Sequence, residues 1–333
     1  MDTYDTPSTR RYYGSPYGYW PSFGWNIAGI TGFTLSTLWH LGQAIYYIVR
    51  RRKLERLIAT KESGADGVGA QQLALVQQPR YWFIFATLFL GGTLETVGWW
   101  IRWASTLELE DDAGPFLGQL ITLILAPCFI AAFNYTLFGL GVRHLGEEYS
   151  LLKGKWYMIL FVIADAIGAV IQVAGGVIAA NRFQDRKDTT TATNTIVAGL
   201  AIQLAATMIF VALGLDFTFR LVMERPRRIR QHVTLIEGHT AAESSERGTR
   251  KRWLVLLATV FFSVAMLVMR AVYRTVDYAK GWPAYREIQY STPDKQELYF
   301  GVFDFLPMIL CLLVFNIVHP GMILGSQRLF RVK

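Results

Sequence analysis

The chain has 333 residues, 52% of them hydrophobic and 17% charged, with a mean hydropathy of +0.27 and a net charge of +8. A soluble domain carries about 25% charged residues. Here apolar runs long enough to cross a bilayer recur throughout, which sets the class as an all-α, polytopic membrane protein and gives the positive charge a membrane explanation rather than a nucleic-acid one. Cys128 and Cys311 both fall inside apolar runs, which excludes a secreted disulfide framework and reads as two buried thiols.

The first 20 residues, "MDTYDTPSTRRYYGSPYGYW", are polar and aromatic and lack an apolar core. They read as part of an extracellular tail over 1–23, with the first span as the insertion signal. Seven spans are expected within a transmembrane domain over 24–320, near 24–49, 81–103, 116–141, 156–180, 195–220, 252–272 and 298–320, followed by a cytosolic tail over 321–333. Connections 50–80 and 221–251 are charged and read as mobile cytosolic loops that carry at most a short interfacial helix. Loop 221–251 is also the expected docking place for cytosolic regulators. Oligomeric state is not legible in the sequence.

Direction follows from Lys and Arg. The loops 50–80, 142–155 and 220–252 with the C-terminal tail hold 22, against 9 in the N-terminal tail, 181–194 and 273–297. The richer set belongs on the cytosolic side, so the N-terminus is expected outside and the C-terminus in the cytosol.

With direction fixed, depth can be assigned. "FLGGTLETVGWWIRW" places Glu95 and Arg102 seven residues apart on one helical face, about 10 Å along the axis. Each therefore needs a partner elsewhere, expected on spans six and seven. Span six ends in "MRAVYRTVDYAKGW" with Arg270, Arg274 and Asp277, and span seven starts "ELYFGVFDFLPM" with Asp304 about two turns down. Three acids and three bases thus share the outer half of the bilayer. In span four, Asp165 and Gln172 lie seven apart near mid-bilayer, followed by Gly175 and Gly176, which let a neighbouring helix approach. A charge at that depth costs roughly 2.5–3.5 kcal/mol on insertion scales, so Asp165 is expected to face the bundle interior or water. Glu95, Asp165 and Asp304 read as functional groups; Arg102 reads as structural, snorkelling to the interface. Asn134 and Tyr135 lie in span three, where the glycosylation match "NYT" is void. Pro127 and Pro307 are candidate kink points. Trp20, Trp25, Trp99, Trp100, Trp103, Trp253 and Trp282 read as interfacial belt residues.

Six stretches carry a family resemblance: "YGYWPS", "LETVGWWIR", "LAPCFIAAFNYTLFG", "DAIGAVIQVAGG", "VMRAVYRTVDYAKG" and "ELYFGVFDFLPM" through "HPG". In this order, from about residue 17 to 321, they resemble the fungal RTA-like family, the lipid-translocating exporters named for resistance to 7-aminocholesterol. The resemblance implies a seven-helix protein of a fungal plasma membrane or internal membranes. It links the chain to sphingoid long-chain base release, resistance to toxic amphiphiles and, for one branch, porphyrin or haem traffic. The family's polar signature falls on Glu95, Gly98, Arg102, Asp165, Gln172, Arg270, Arg274 and Asp304. Where the family generally has Glu, this chain has Asp277, one methylene shorter.

The leading expectation is a non-enzymatic exporter or translocator of amphipathic lipids, with Glu95 or Asp304 receiving an ammonium head group. The chain has no G-x-x-x-x-G-K-[ST] loop, so direction would come from a gradient, with proton exchange through Asp165. The competing expectation is a receptor-like sensor or regulator of lipid asymmetry that moves nothing itself. A metal-dependent intramembrane hydrolase would need several histidines and an acid on zinc. His40 and His319 lie within spans and His144 at the cytosolic end of span three. A haem-binding variant would use His40 or His319 as axial ligand. No cofactor or metal is assigned; the expected partners are membrane lipids.

Overall fold

The computed structural model describes residues 17, 19, 21–62, 82–107, 113–227, 239–283 and 293–321. Trp20, most of loop 50–80, residues 228–238 of the basic loop and the C-terminal tail lie outside the described residues. Long helices follow one another: α1 (Phe23–Glu62), α2 (Trp82–Ala104), α3 (Ala113–Leu145), α4 (Gly154–Gln184), α5 (Thr190–Val222) and α6 (His239–Ala279). The seventh is composite. An α-helix α7 (Pro293–Phe300) passes through a π-helical turn, Gly301–Phe305, into α8 (Leu306–Ile317). Six of the seven are long and apolar enough to cross a membrane, namely α2 to α6 and the composite helix. The first is more polar because Asn26, Ser36, Thr37, His40 and Gln43 interrupt it, yet Leu35, Leu38, Trp39, Ile45 and Val49 stand exposed along its outer side. Comparable apolar side chains, among them Ile163, Val170, Leu215, Phe219, Val255, Val276 and Ile317, are exposed on α4, α5, α6 and α8. Such a surface is unstable in water and suits hydrocarbon.

Two helices overrun the sequence expectation. α1 continues to Glu62, where loop 50–80 was expected to begin at 50, and α6 begins at His239 inside loop 221–251. In both cases the extension is built from strong helix formers. "RRRKLERLIATKE" contains neither Gly nor Pro, and the chain meets its first helix breaker only at Gly64. The α6 extension is rich in Ala, Glu and Arg and tolerates Gly248.

The bundle is a ring with a tenant. Neighbours pack in the order α1, α2, α3, α4, α5, α6, α8 and back to α1, while α3 also reaches across to α6. Its wall of Phe133, Phe138, Tyr135 and Leu137 is fully buried. Small residues permit close approaches, with Gly139 of α3 set against Gly154 of α4: between α4 and α5, a Cβ on Gly199 would lie 2.6 Å from the Gly168 carbonyl oxygen, and one on Gly175 would lie 2.9 Å from that of Ala192. α4 and α5 therefore pack almost backbone to backbone, which brings their mid-helix polar groups within hydrogen-bonding reach. Tryptophans depart from the belt expectation. Trp99, Trp253 and Trp282 are each 1% exposed and pack inward, whereas Trp100 is 49% exposed. Trp99 and Trp100 are successive helical residues and must point about 100° apart, so only one of them can face lipid.

Candidate functional site

At the end of the bundle where α1 begins, three helices carry buried charge inward. On α6, Arg270 and Arg274 are one turn apart and share a face; both reach Asp304. Arg274 donates from Nε to Asp304 Oδ1 at 2.6 Å and from Nη2 to Oδ2 at 2.9 Å, a bidentate fork. Arg270 Nε lies 2.9 Å from the same Oδ1, but its N–H is not aligned for a hydrogen bond; its Nη2 donates to the Leu123 carbonyl at 2.7 Å. One carboxylate thus serves two guanidiniums, all nearly excluded from solvent.

The π turn makes this possible. It inserts one extra residue per turn at Gly301–Phe305 and re-aims Asp304 toward α6. Two features permit it. Pro307 lacks an N–H and sits in the first turn of α8, where none is required. Gly301 lies under the Trp25 indole of α1, where a Cβ would come within 2.5 Å of the ring.

Arg102 does not snorkel. It is 1% exposed, with Nη2 donating to Tyr19 Oη at 2.9 Å and lying 3.6 Å from Glu297 Oε1. Its guanidinium carbon sits 4.8–5.8 Å from the ring centroids of Tyr17, Tyr19, Trp99 and Phe300, inside a cage of π faces. Two of the rings, Tyr17 and Tyr19, come from just ahead of α1 and pack onto the bundle. Tyr17 donates to Gln119 Oε1 at 2.7 Å and lies 2.8 Å from Ser105 Oγ, while the Ser22 amide donates to Glu297 Oε1 at 2.7 Å. Burial raises both tail phenols above the ordinary tyrosine range, so they work as neutral hydroxyls.

Glu95 is 1% exposed, on the α2 face one helical repeat below Arg102. Its Oε1 has no partner among the described residues. Gly98 lets α2 approach α3, for a Cβ there would sit 2.8 Å from Leu123 and Thr122. The composite seventh helix supplies a charged neighbour to Arg102 in Glu297, while no ion pair joins Glu95 to spans six or seven among the described residues. Glu297 and the two tail tyrosines escaped the spacing argument. Glu297 lies seven residues before Asp304, the same one-face spacing that flagged Glu95 and Arg102, and could have been found by it.

Between these groups lies a cavity of about 230 Å³. Arg102, Arg274, Asp277 and Lys280 are on its wall with Tyr17, Tyr19, Phe116 and Phe300; Glu95, Arg270 and Asp304 are not.

Asp165 belongs elsewhere. It is buried among α3, α4 and α5, where Tyr135 donates to its Oδ2 at 3.1 Å. Gln203 donates to the Asp165 carbonyl at 3.0 Å, accepts from Gln172 at 2.7 Å and lies 3.2 Å from Cys128 Sγ. Thr207 Oγ1 is 3.4 Å from Tyr135 Oη. Asp165 and Gln172 are thus joined through Gln203, a residue the sequence reading had not singled out. Asn134 makes a third small knot, donating to the Ser263 hydroxyl of α6 at 3.0 Å.

At the opposite end of the bundle, His40 and His319 come together with ring centroids 5.0 Å apart, packed by Tyr47, Phe85 and Phe133. His144 stacks on Trp253 instead. Tyr47 and Phe85 stack on His319 with centroids 5.0 and 5.1 Å away. Nδ1 of His319 accepts from the Gly321 amide at 3.1 Å, which leaves Nε2 carrying the proton and no lone pair for a metal. No group of three or more His, Cys, Asp or Glu suited to a metal ion occurs among the described residues.

A ring of long apolar helices with charged groups held in its interior, beside a small cavity, defines a multi-pass membrane protein. The family profile described as RTA1 like protein matches residues 88–327. The chain belongs to this family. Among curated relatives, it is 28% identical over 258 residues to the sphingoid long-chain base transporter RSB1 of Saccharomyces cerevisiae, covering 73% of this chain and 65% of the relative. It is 26% identical over 232 residues to protein RTM1 of the same yeast, covering 69% and 65%. To the yeast protoporphyrin uptake protein 1 it is 24% identical over 307 residues, covering 90% of each. The chain thus spans about two-thirds of the length of the first two relatives. No solved structure matches it.

Proposed function

We propose that this protein translocates single-chain amphipathic lipids, with sphingoid long-chain bases as the leading cargo, across a fungal plasma membrane and without covalent chemistry of its own. The carrying observation is the cavity at the α1-start end of the bundle. It is lined by charged groups and aromatic rings together, and it is smaller than the roughly 300 Å³ at which pockets begin to enclose drug-sized ligands. A site of this size takes a head group and leaves the tail to lipid. The Lys and Arg asymmetry of the loops supports placing this end outside, which makes the cavity an outer-leaflet site. Family membership and the name of the 28% relative support the cargo class.

Within this reading, Asp304 is committed to two arginines and Glu95 stands off the cavity wall. Asp277, half-buried at the wall, is the acid positioned to receive an ammonium. Moving one positive charge outward against the membrane potential costs about 2.3 kcal/mol per 100 mV, so export calls for a coupled gradient. Asp165, with Oδ1 unpartnered in the separate α3–α4–α5 knot, is our candidate for the coupled proton.

The test is purified protein in proteoliposomes with a fluorescent sphingoid base and a fluorescent phospholipid, comparing wild type, Asp277→Asn and Asp165→Asn. Movement of the base by wild type, slowed by Asp277→Asn in a folded protein, supports the proposal. If no lipid moves under any pH gradient or potential, a regulatory role that signals lipid asymmetry replaces it.

A further inference from the structure

The charge on the cavity wall is unbalanced. Among the described residues, its charged groups are Arg102, Arg274 and Lys280 against the single acid Asp277. The acids that pair with the buried arginines stand behind them: Asp304 holds Arg274 and Arg270, and Glu297 lies 3.6 Å from Arg102, beyond a short hydrogen bond. Nε of Arg102 is buried and without a partner. The cavity's neutral polar groups include Gln119, whose side-chain amide accepts from Tyr17 through Oε1. A sphingoid base offers an ammonium and hydroxyls but no anion for the unpartnered Arg102 Nε. The π faces around Arg102 are already taken by its own guanidinium, so they do not form an empty cage for a second cation.

We infer that the cavity recognises a head group carrying a phosphate monoester next to an amine, as on a phosphorylated single-chain amphiphile, with the phosphate toward Arg102 and Arg274 and the amine toward Asp277. The planar Arg102 guanidinium, with Nε unpartnered, offers phosphate oxygens a charge-assisted contact, while Arg274, already forked onto Asp304, adds its positive field. Lys280, exposed at the rim, adds a point charge that draws the anion in from solvent. This inference rests on the reading of the cavity as a lipid head-group site and names the chemistry that fills it.

Protein in nanodiscs is titrated with three probes that share one short chain: the sphingoid base, the same base as its 1-phosphate, and the fatty alcohol. The phosphate form binds about tenfold or more tightly than the base, as expected for an added charge-assisted contact. Arg102→Gln removes that advantage. Because Arg102 is buried and its loss risks misfolding, Lys280→Gln is measured in parallel, and narrows the advantage by about two- to threefold. The inference is overturned if the base binds as tightly as its phosphate, or if both folded variants keep the wild-type ratio. The two proposals fail separately. Base that crosses liposomes without any phosphate preference leaves translocation standing and removes this inference; tight phosphate binding with no movement of any lipid does the reverse.

Discussion

Replacing Asp304 by Asn keeps the shape of the side chain and removes its charge. In the native protein that carboxylate accepts from Arg274 at 2.6 and 2.9 Å and lies 2.9 Å from Arg270 Nε, with all three residues at most 8% exposed. Breaking a buried ion pair by neutralising one member costs about 3–5 kcal/mol, since the remaining charge is left uncompensated in a medium that solvates it poorly. Here two guanidiniums lose their counter-ion at once, so the upper end, about 5 kcal/mol, is expected. Arg274→Gln should cost less, because Asp304 keeps Arg270. Combining both substitutions removes one of the two stranded charges and should recover about 2 kcal/mol relative to the sum of the single effects. Equilibrium unfolding in mixed micelles, followed by tryptophan fluorescence, measures the full cycle. An Asp304→Asn protein within about 1 kcal/mol of wild type, or strictly additive effects, would refute the claim that Asp304 is the shared counter-ion of α6.

Two further outcomes test the geometry and the topology. Gly301→Ala drives a methyl into the Trp25 indole, 2.5 Å away, and should destabilise by about 1–3 kcal/mol as an overpacked contact; Trp25→Leu should restore most of the loss, read in the same unfolding assay. With Cys128 and Cys311 replaced, a single cysteine at the exposed Arg186 should react with an impermeant maleimide on intact cells, and one at the exposed Lys153 only after permeabilisation. The opposite pattern would invert the bundle and place the charged cavity on the cytosolic side.

Much of the architecture was legible because bilayer thickness converts directly into apolar length, and seven long helices appear where the apolar runs lie. Seven-residue spacing exposed the polar faces of α2 and α4, and four-residue spacing that of α6, since those intervals follow from helical geometry alone. The spacing named Arg270, Arg274 and Asp304 but could not say that one acid would serve both bases. Asp165 and Gln172 were correctly seen as interior groups of one helix. Their link through Gln203 depends on how closely α4 approaches α5. Arg102 was read as snorkelling because nothing in a linear sequence reveals that Tyr17 and Tyr19 pack over it.

By itself, then, the sequence determined the class of protein, the number of long helices and the faces on which charge is carried, because these depend on local length, composition and period. Only the tertiary structure decided which charges neutralise one another, which aromatic rings enclose Arg102, that His40 and His319 meet, and that the cavity wall keeps more cations than acids. Those outcomes depend on distances between residues far apart in the chain, set by small-residue contacts, by a single π turn and by the two tyrosines ahead of α1.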